Sequence, residues 1–257
     1  MNRQAQAAVM FLVGAALLHA GLTDLYLRYV KAGLQPLLLA SGAVLIVAAL
    51  ATAWYEWKHG RRKTAQHSTD AHAPDAHAPD GHAPEEHVHP EPRISWLLVL
   101  PLLALILIAP PALGSYSAMR AGTALQKPYG YLHLPAGNPV PLNLVDYAGR
   151  AAYDDGRSLR GRTVRVTGFV ALDQAGTPYL VRMALNCCAA DAQPVKIGLT
   201  GKIPPVLQPD AWLQVTGTYT ARRAKDPVNN GRIPFLQVTE AKPVPTPSDP
   251  YDETLNN

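Results

Sequence analysis

The sequence predicts a chain of two classes, membrane α plus all-β: three transmembrane helices followed by a small OB-like β-barrel domain. Three observations lead there. Apolar residues are 48% of the 257 residues, but they concentrate in three runs of bilayer-spanning length. A Pro-, Ala- and Asp-rich tract with a histidine at every fifth position separates the second run from the third. Beyond Gly161 the pattern changes to short β-branched runs separated by Gly, Pro and Asp.

The apolar runs are Ala7–Leu27, Pro36–Trp57 and Ile94–Leu113. A helix needs about 20 mostly apolar residues to cross the hydrocarbon core, and each run is near that length. The second ends on Trp54, Tyr55 and Trp57, the aromatic belt of a membrane interface. The third contains Pro101, which a membrane helix tolerates, and stops at Pro110-Pro111. A cleaved signal peptide is the competing reading of the first run. Against it, Leu18 is too large for the small-residue position before a cut after Ala20, and a second apolar run follows almost at once. A transmembrane hairpin over 1–57 is therefore expected. His19 is an ionisable group within the first run. Such a group is often functional, although a place near the lipid headgroups accounts for it equally well.

Topology follows from the basic residues. Only 16% of residues are charged, and the Lys and Arg stand beside apolar runs, so the net charge of +4 signals topology rather than nucleic-acid binding. The densest cluster is KHGRRK, Lys58–Lys63. The positive-inside rule places the linker 58–93 and the N-terminus in the cytoplasm, and everything after about Leu113 outside it.

The linker has no apolar periodicity and too little apolar surface to fold. Its histidines are His72, His77, His82, His87 and His89. In extended polyproline form the rise is about 3.1 Å per residue, which spaces the fivefold series by roughly 15 Å. Zinc holds its ligands at about 2 Å, so the tract must fold back to chelate. Two readings stand: a flexible tether, or a weak arm that gathers zinc, nickel or cobalt.

A connecting segment, 114–160, leads to the β domain. Its stretch Val145–Asp155 reads as a short helix capping a barrel. Five runs follow within 161–245: Thr163–Leu172, Pro178–Cys188, Gln193–Thr200, Ala211–Thr220 and Ile233–Lys242. Five short strands in about 80 residues suggest a small closed barrel. VRVTGFV and LQVTGTY are paired repeats with Gly168 and Gly217 at matching places, where a bulge or barrel bend is expected. The last residues, 246–257, read as a disordered tail.

The most chemical stretch is NCCAADA, Asn186–Ala192. Neighbours in a regular strand point to opposite faces, so Cys187 and Cys188 share a ligand only if the chain turns there. Asp191 would then lie one helical turn away. This makes Cys187, Cys188 and Asp191 a candidate metal site, with zinc as its cofactor. The alternatives are a buried packing cysteine with an incidental neighbour, and a vicinal disulfide in an oxidising compartment. His133 and Asp146 are further candidate ligands that no spacing places near the cysteines.

The stretches YLRYVKAGLQPLLLASG, WLLVLPLLALILIAPPALGSYSAMRAG, VRVTGFV, VRMALNCCAADAQPVKIGL and WLQVTGTY occur in this order and cover most of the chain outside the linker. In them the chain resembles the YcgQ-like family of two-component permease subunits. The resemblance implies a partner in the lipid bilayer, a larger polytopic permease, and supplies no catalytic residue. The expected function is that of an accessory subunit presenting an extracytoplasmic β domain. The alternatives are a ligand- or metal-sensing module without a transport role, and a thiol oxidoreductase. CC is not the C-x-x-C of thioredoxin-like enzymes. No phosphate-binding loop and no spacing for a Ser-His-Asp set is present, so no enzyme is expected. A nucleic-acid partner is not expected either, because aromatic stacking platforms are sparse.

Overall fold

The computed structural model describes residues 3–66, 100, 103–104, 108 and 111–253. The chain divides into two compact units. One comprises Met1–Thr23 and Pro36–Pro110, the other Asp24–Gln35 and Pro111–Asn257.

The first unit is built on α1 (Arg3–Leu22) and α2 (Gln35–Gln66). Both are long and apolar enough to cross a membrane, over Gln4–Leu22 and Ala32–His59, which is consistent with a membrane anchor. They pack through small residues. A Cβ on Gly14 would stand 2.9 Å from the Gly42 carbonyl oxygen, and one on Gly42 would stand 3.0 Å from that of Gly14. Glycine at both positions lets the two backbones meet, as helix pairs in lipid require. Leu37, Val44, Val47 and Leu50 face outward. His19 is exposed in the last turn of α1, and its carbonyl accepts the Thr23 hydroxyl at 2.9 Å. The helix α2 runs on through KHGRRK, so the linker expected from residue 58 is still helical to Gln66. Lys, Arg, Ala and Gln are good helix formers and extend a helix already nucleated in the span. The rest of the linker with its five histidines lies outside the described residues, as does most of the third expected span.

The second unit holds the barrel. After α3 (Ser115–Arg120) and β1 (Val140–Pro141), the helix α4 (Leu144–Tyr153) precedes five strands. These are β2 (Thr163–Leu172), β3 (Pro178–Leu185), β4 (Gln193–Gly201), β5 (Trp212–Lys225) and β6 (Arg232–Pro243). The order β2-β5-β6-β4-β3 closes through a β2–β3 pairing into a five-stranded barrel that fits an OB-like domain. All its pairings are antiparallel except β4 with β6.

Strand periodicity builds the core. Val164, Val166 and Val170 of β2 point inward, with Val195, Ile197 and Leu199 of β4 and Leu236 and Val238 of β6. The helix α4 closes the barrel with Leu144, Tyr147, Ala148 and Ala151. Its start is held by the Asn143 side chain, which accepts from the Asp146 N–H. The two repeats pair with each other about Val166 and Val215. Gly217 sits at a bulge, where a Cβ would come 2.3 Å from the Gln237 carbonyl oxygen.

The tail expected to be disordered instead supplies β7 (Tyr251–Glu253), which pairs in parallel with the end of β3. Three residues carry too little pattern to announce a strand, but each here has a partner. Asp252 accepts the Leu144 and Val145 N–H groups and pairs with Arg182 at 2.9 Å. The outer faces of β2 and β3 are covered as well: Phe169, Ala171, Val181 and Met183 pack with Ala118 of α3 and with Tyr251.

The segment ahead of the barrel is latched by a buried ion pair. Lys196 Nζ lies 2.8 Å from Asp226 Oδ2 and donates to the Ala121 carbonyl at 2.8 Å. Asp226 also accepts the Thr123 N–H at 2.9 Å. Both side chains are sealed, with exposures of 1% and 0%. The pair survives burial because each charge keeps several hydrogen-bond partners.

Candidate metal centre

At Leu185 the strand β3 ends, and residues 186–192 loop back to β4. A 3-10 turn, Ala189–Asp191, reverses the chain. This is the departure from regular strand that two adjacent cysteines need in order to share a ligand. It carries the Asp191 carboxylate back over the start of the loop, where Oδ1 accepts the Asn186 N–H at 3.1 Å and Oδ2 accepts the Cys187 N–H at 3.0 Å.

The three side chains meet. Cys187 Sγ is 3.6 Å from Cys188 Sγ and 3.0 Å from Asp191 Oδ2. Their donor atoms all lie within 4.8 Å of one another. Tetrahedral zinc at its usual bond lengths separates two sulfurs by about 3.8 Å and a sulfur from an oxygen by about 3.6 Å. The sulfurs already have that separation. Cys187 and Asp191 need to part by roughly 0.6 Å, which exchanging a thiol hydrogen bond for a metal bond would do. Two soft thiolates and one carboxylate suit zinc or a similar thiophilic ion. With three protein donors, a tetrahedral ion held here would keep one position for an outside ligand, as sites that exchange or react do.

The thiol is held protonated here. The hydrogen bond to Asp191, then the one to Cys188, pushes the Cys187 pKa up to about 12. The same hydrogen bond from Cys187 holds the Asp191 carboxyl below its usual range. Nucleophilic attack and metal binding both use the thiolate, so a metal ion would have to displace the thiol proton of Cys187 to bind there. The cysteines are two free thiols, and neither is a buried packing residue: Cys187 is exposed and Cys188 half-buried.

A second segment touches the loop. Asp24–Gln35 connects α1 to α2, and its Tyr29–Lys31 stretch lies along Cys187–Ala189. Val30 and Cys188 form an antiparallel bridge. Lys31 N–H donates to the Cys187 carbonyl at 3.1 Å, and Ala189 N–H to the Tyr29 carbonyl at 2.7 Å. Sequence reasoning missed this contact. No motif marks it, because the bonds are between backbones.

The other candidate ligands lie elsewhere. Asp146 pairs with Arg150 on α4 at 2.9 Å, and His133 is exposed in the preceding connection. Neither joins a donor cluster; among the described residues the group of Cys187, Cys188 and Asp191 is the one found. The histidines of the linker lie outside the described residues.

No curated protein and no solved structure matches the chain. Residues 150–252, which contain all five barrel strands and the Cys-Cys-Asp loop, match the DUF1980 C-terminal domain, and this supports the chain's being a DUF1980-family protein.

Proposed function

We propose that this chain is a membrane-anchored accessory subunit of a permease complex, and that its OB-like domain presents Cys187, Cys188 and Asp191 outside the cytoplasm to a thiophilic metal, zinc foremost. The observation that carries the reading is the meeting of three metal-donor side chains in an exposed loop of a folded domain. A functional site needs donors fixed by structure, and here a turn and two backbone hydrogen bonds to Asp191 fix them.

The placement outside has two supports. The basic cluster at the far end of α2 fits the cytoplasmic side. The loop between α1 and α2 is hydrogen-bonded to the cysteine loop. If both helices cross the bilayer, that loop and the β domain share one side, opposite the cluster. The permease partner rests on the family resemblance and on the shortage of polar groups in the spans, which makes the chain a poor pore by itself.

Reporter fusions test the placement. A reporter active only outside the cytoplasm is expected to be silent after Lys63 and active after Gly122; the reverse pattern overturns it. Co-purification with a larger permease in mild detergent tests the partnership. Transport by this chain alone in liposomes would sink the accessory role and leave the metal site standing.

A further inference from the structure

The loop Asp24–Gln35 is covalently the turn of the helical hairpin, yet it packs as part of the β-domain unit. Two backbone hydrogen bonds, which together make one antiparallel bridge, fall on three consecutive residues, Cys187, Cys188 and Ala189. Two of those three carry the thiols. The bonds flank Cys188 on either side, so the loop fixes the peptide planes from which both sulfurs project.

We propose that the α1–α2 loop is a built part of the metal site: a thiophilic divalent cation on Cys187, Cys188 and Asp191 locks Tyr29–Lys31 onto the barrel. The inference rests on the metal reading of the site given above. Binding converts two thiols to thiolates, releases two protons to solvent and forms two metal–sulfur bonds and one metal–oxygen bond. The backbone of Cys187–Ala189 must then hold one conformation, the one the loop is bonded to. By linkage, whatever factor the docked loop adds to metal affinity, the metal adds to docking.

The coupling is testable at one atom. Lys31 has φ −59° and ψ 141°. Those angles suit proline, and Val30 before it is in a bridge, the extended conformation a residue preceding proline adopts. Lys31→Pro therefore deletes the N–H that bonds Cys187 while leaving the local backbone unstrained. The experiment uses the full chain in detergent with Cd²⁺ alone, a spectroscopic substitute for Zn²⁺. It reads the ultraviolet cadmium–thiolate band and backbone hydrogen exchange over residues 24–35 and 186–192.

Three results are expected. Cd²⁺ raises the thiolate band in the native chain and in Lys31→Pro, and not in the Cys187→Ser, Cys188→Ser double variant. Its Kd is weaker in Lys31→Pro by roughly three- to tenfold, the worth of one net hydrogen bond. In the native chain Cd²⁺ slows exchange at Lys31 and Ala189 by a similar factor, and in the double variant it does not. An unchanged Kd with unchanged exchange overturns the coupling while the metal site survives. Absence of the band in the native chain overturns the metal reading and this inference with it. Should Lys31→Pro not fold, the exchange measurement on the native chain decides alone.

Discussion

In the helical hairpin Leu37, Val44, Val47 and Leu50 face outward and the glycines face the partner helix. In the β domain Val164, Ile197 and Leu236 are sealed inside, and the outer surface carries the charges. The same residue types are turned in opposite directions, as fits a hairpin that faces lipid and a barrel that faces water. Burying a Val, Leu or Ile away from water contributes about 1.5–3 kcal/mol each, so the barrel is held by its interior. In lipid that driving force is missing, and close backbone approach replaces it. The hairpin should be sensitive to bulk at its glycines, and the barrel to holes and stranded charges.

The largest expected effect is in the barrel. Lys196→Met alone leaves Asp226 buried without its cation and should cost about 3–5 kcal/mol. The measurement is thermal unfolding of the full chain in detergent, followed by tryptophan fluorescence. Lys196→Met with Asp226→Leu should recover most of the loss, because an apolar pair leaves no charge stranded. If the single change costs nothing, the latch on the segment ahead of the barrel is dispensable.

The hairpin comes next. Gly42→Leu puts a side chain against the Gly14 carbonyl, and overpacking of this kind costs about 1–3 kcal/mol. It should loosen the hairpin and leave barrel unfolding unchanged. Cysteine cross-linking between the two helices checks this, and a barrel that melts earlier would mean that the two regions are not independent.

The exposed loop gives a pH signature. With its thiol pushed up to about 12, Cys187 should be alkylated slowly at pH 8. Its rate should climb about tenfold per pH unit with no plateau in the ordinary thiol range near 8.5, because only the thiolate reacts. Asp191→Asn removes the anionic acceptor, lowers the thiol pKa and should quicken alkylation at pH 8 about tenfold. An equal rate in both proteins would show that the carboxylate does not hold the thiol. The smallest effect is at the cap of α4. Asn143→Ala should cost about 1 kcal/mol, tempered because Asp252 also accepts from the first N–H groups of that helix.

Legibility in the sequence tracks the range of the interaction. Alternation and turn residues located all five barrel strands, and the stretch Val145–Asp155 was read as the capping helix, which runs Leu144–Tyr153. The turn after Cys188 was left open: the strand was read through Cys188 but ends at Leu185, and Ala-Ala-Asp-Ala only permitted the reversal that Ala189–Asp191 makes. Lys196 was not readable. It sits at an outward position of β4, where a lysine is normally solvated, and its partner Asp226 is in the β5–β6 turn. Tyr251–Glu253 was read as tail because its order comes from Arg182 and from the open side of β3, not from its own pattern. The docking of Tyr29–Lys31 was invisible for a plainer reason: carbonyls and N–H groups are the same in every residue.

The strands that flank the closed barrel are very short: β1 has two residues, one of them a proline, and β7 has three. A neighbouring chain that seeks a row of unsatisfied main-chain groups to zip onto would find almost none at either place, since proline has no N–H to offer. Crowded side by side on a membrane, such domains would resist fusing into a common sheet. A protein partner would have to grip side chains and loop tips instead.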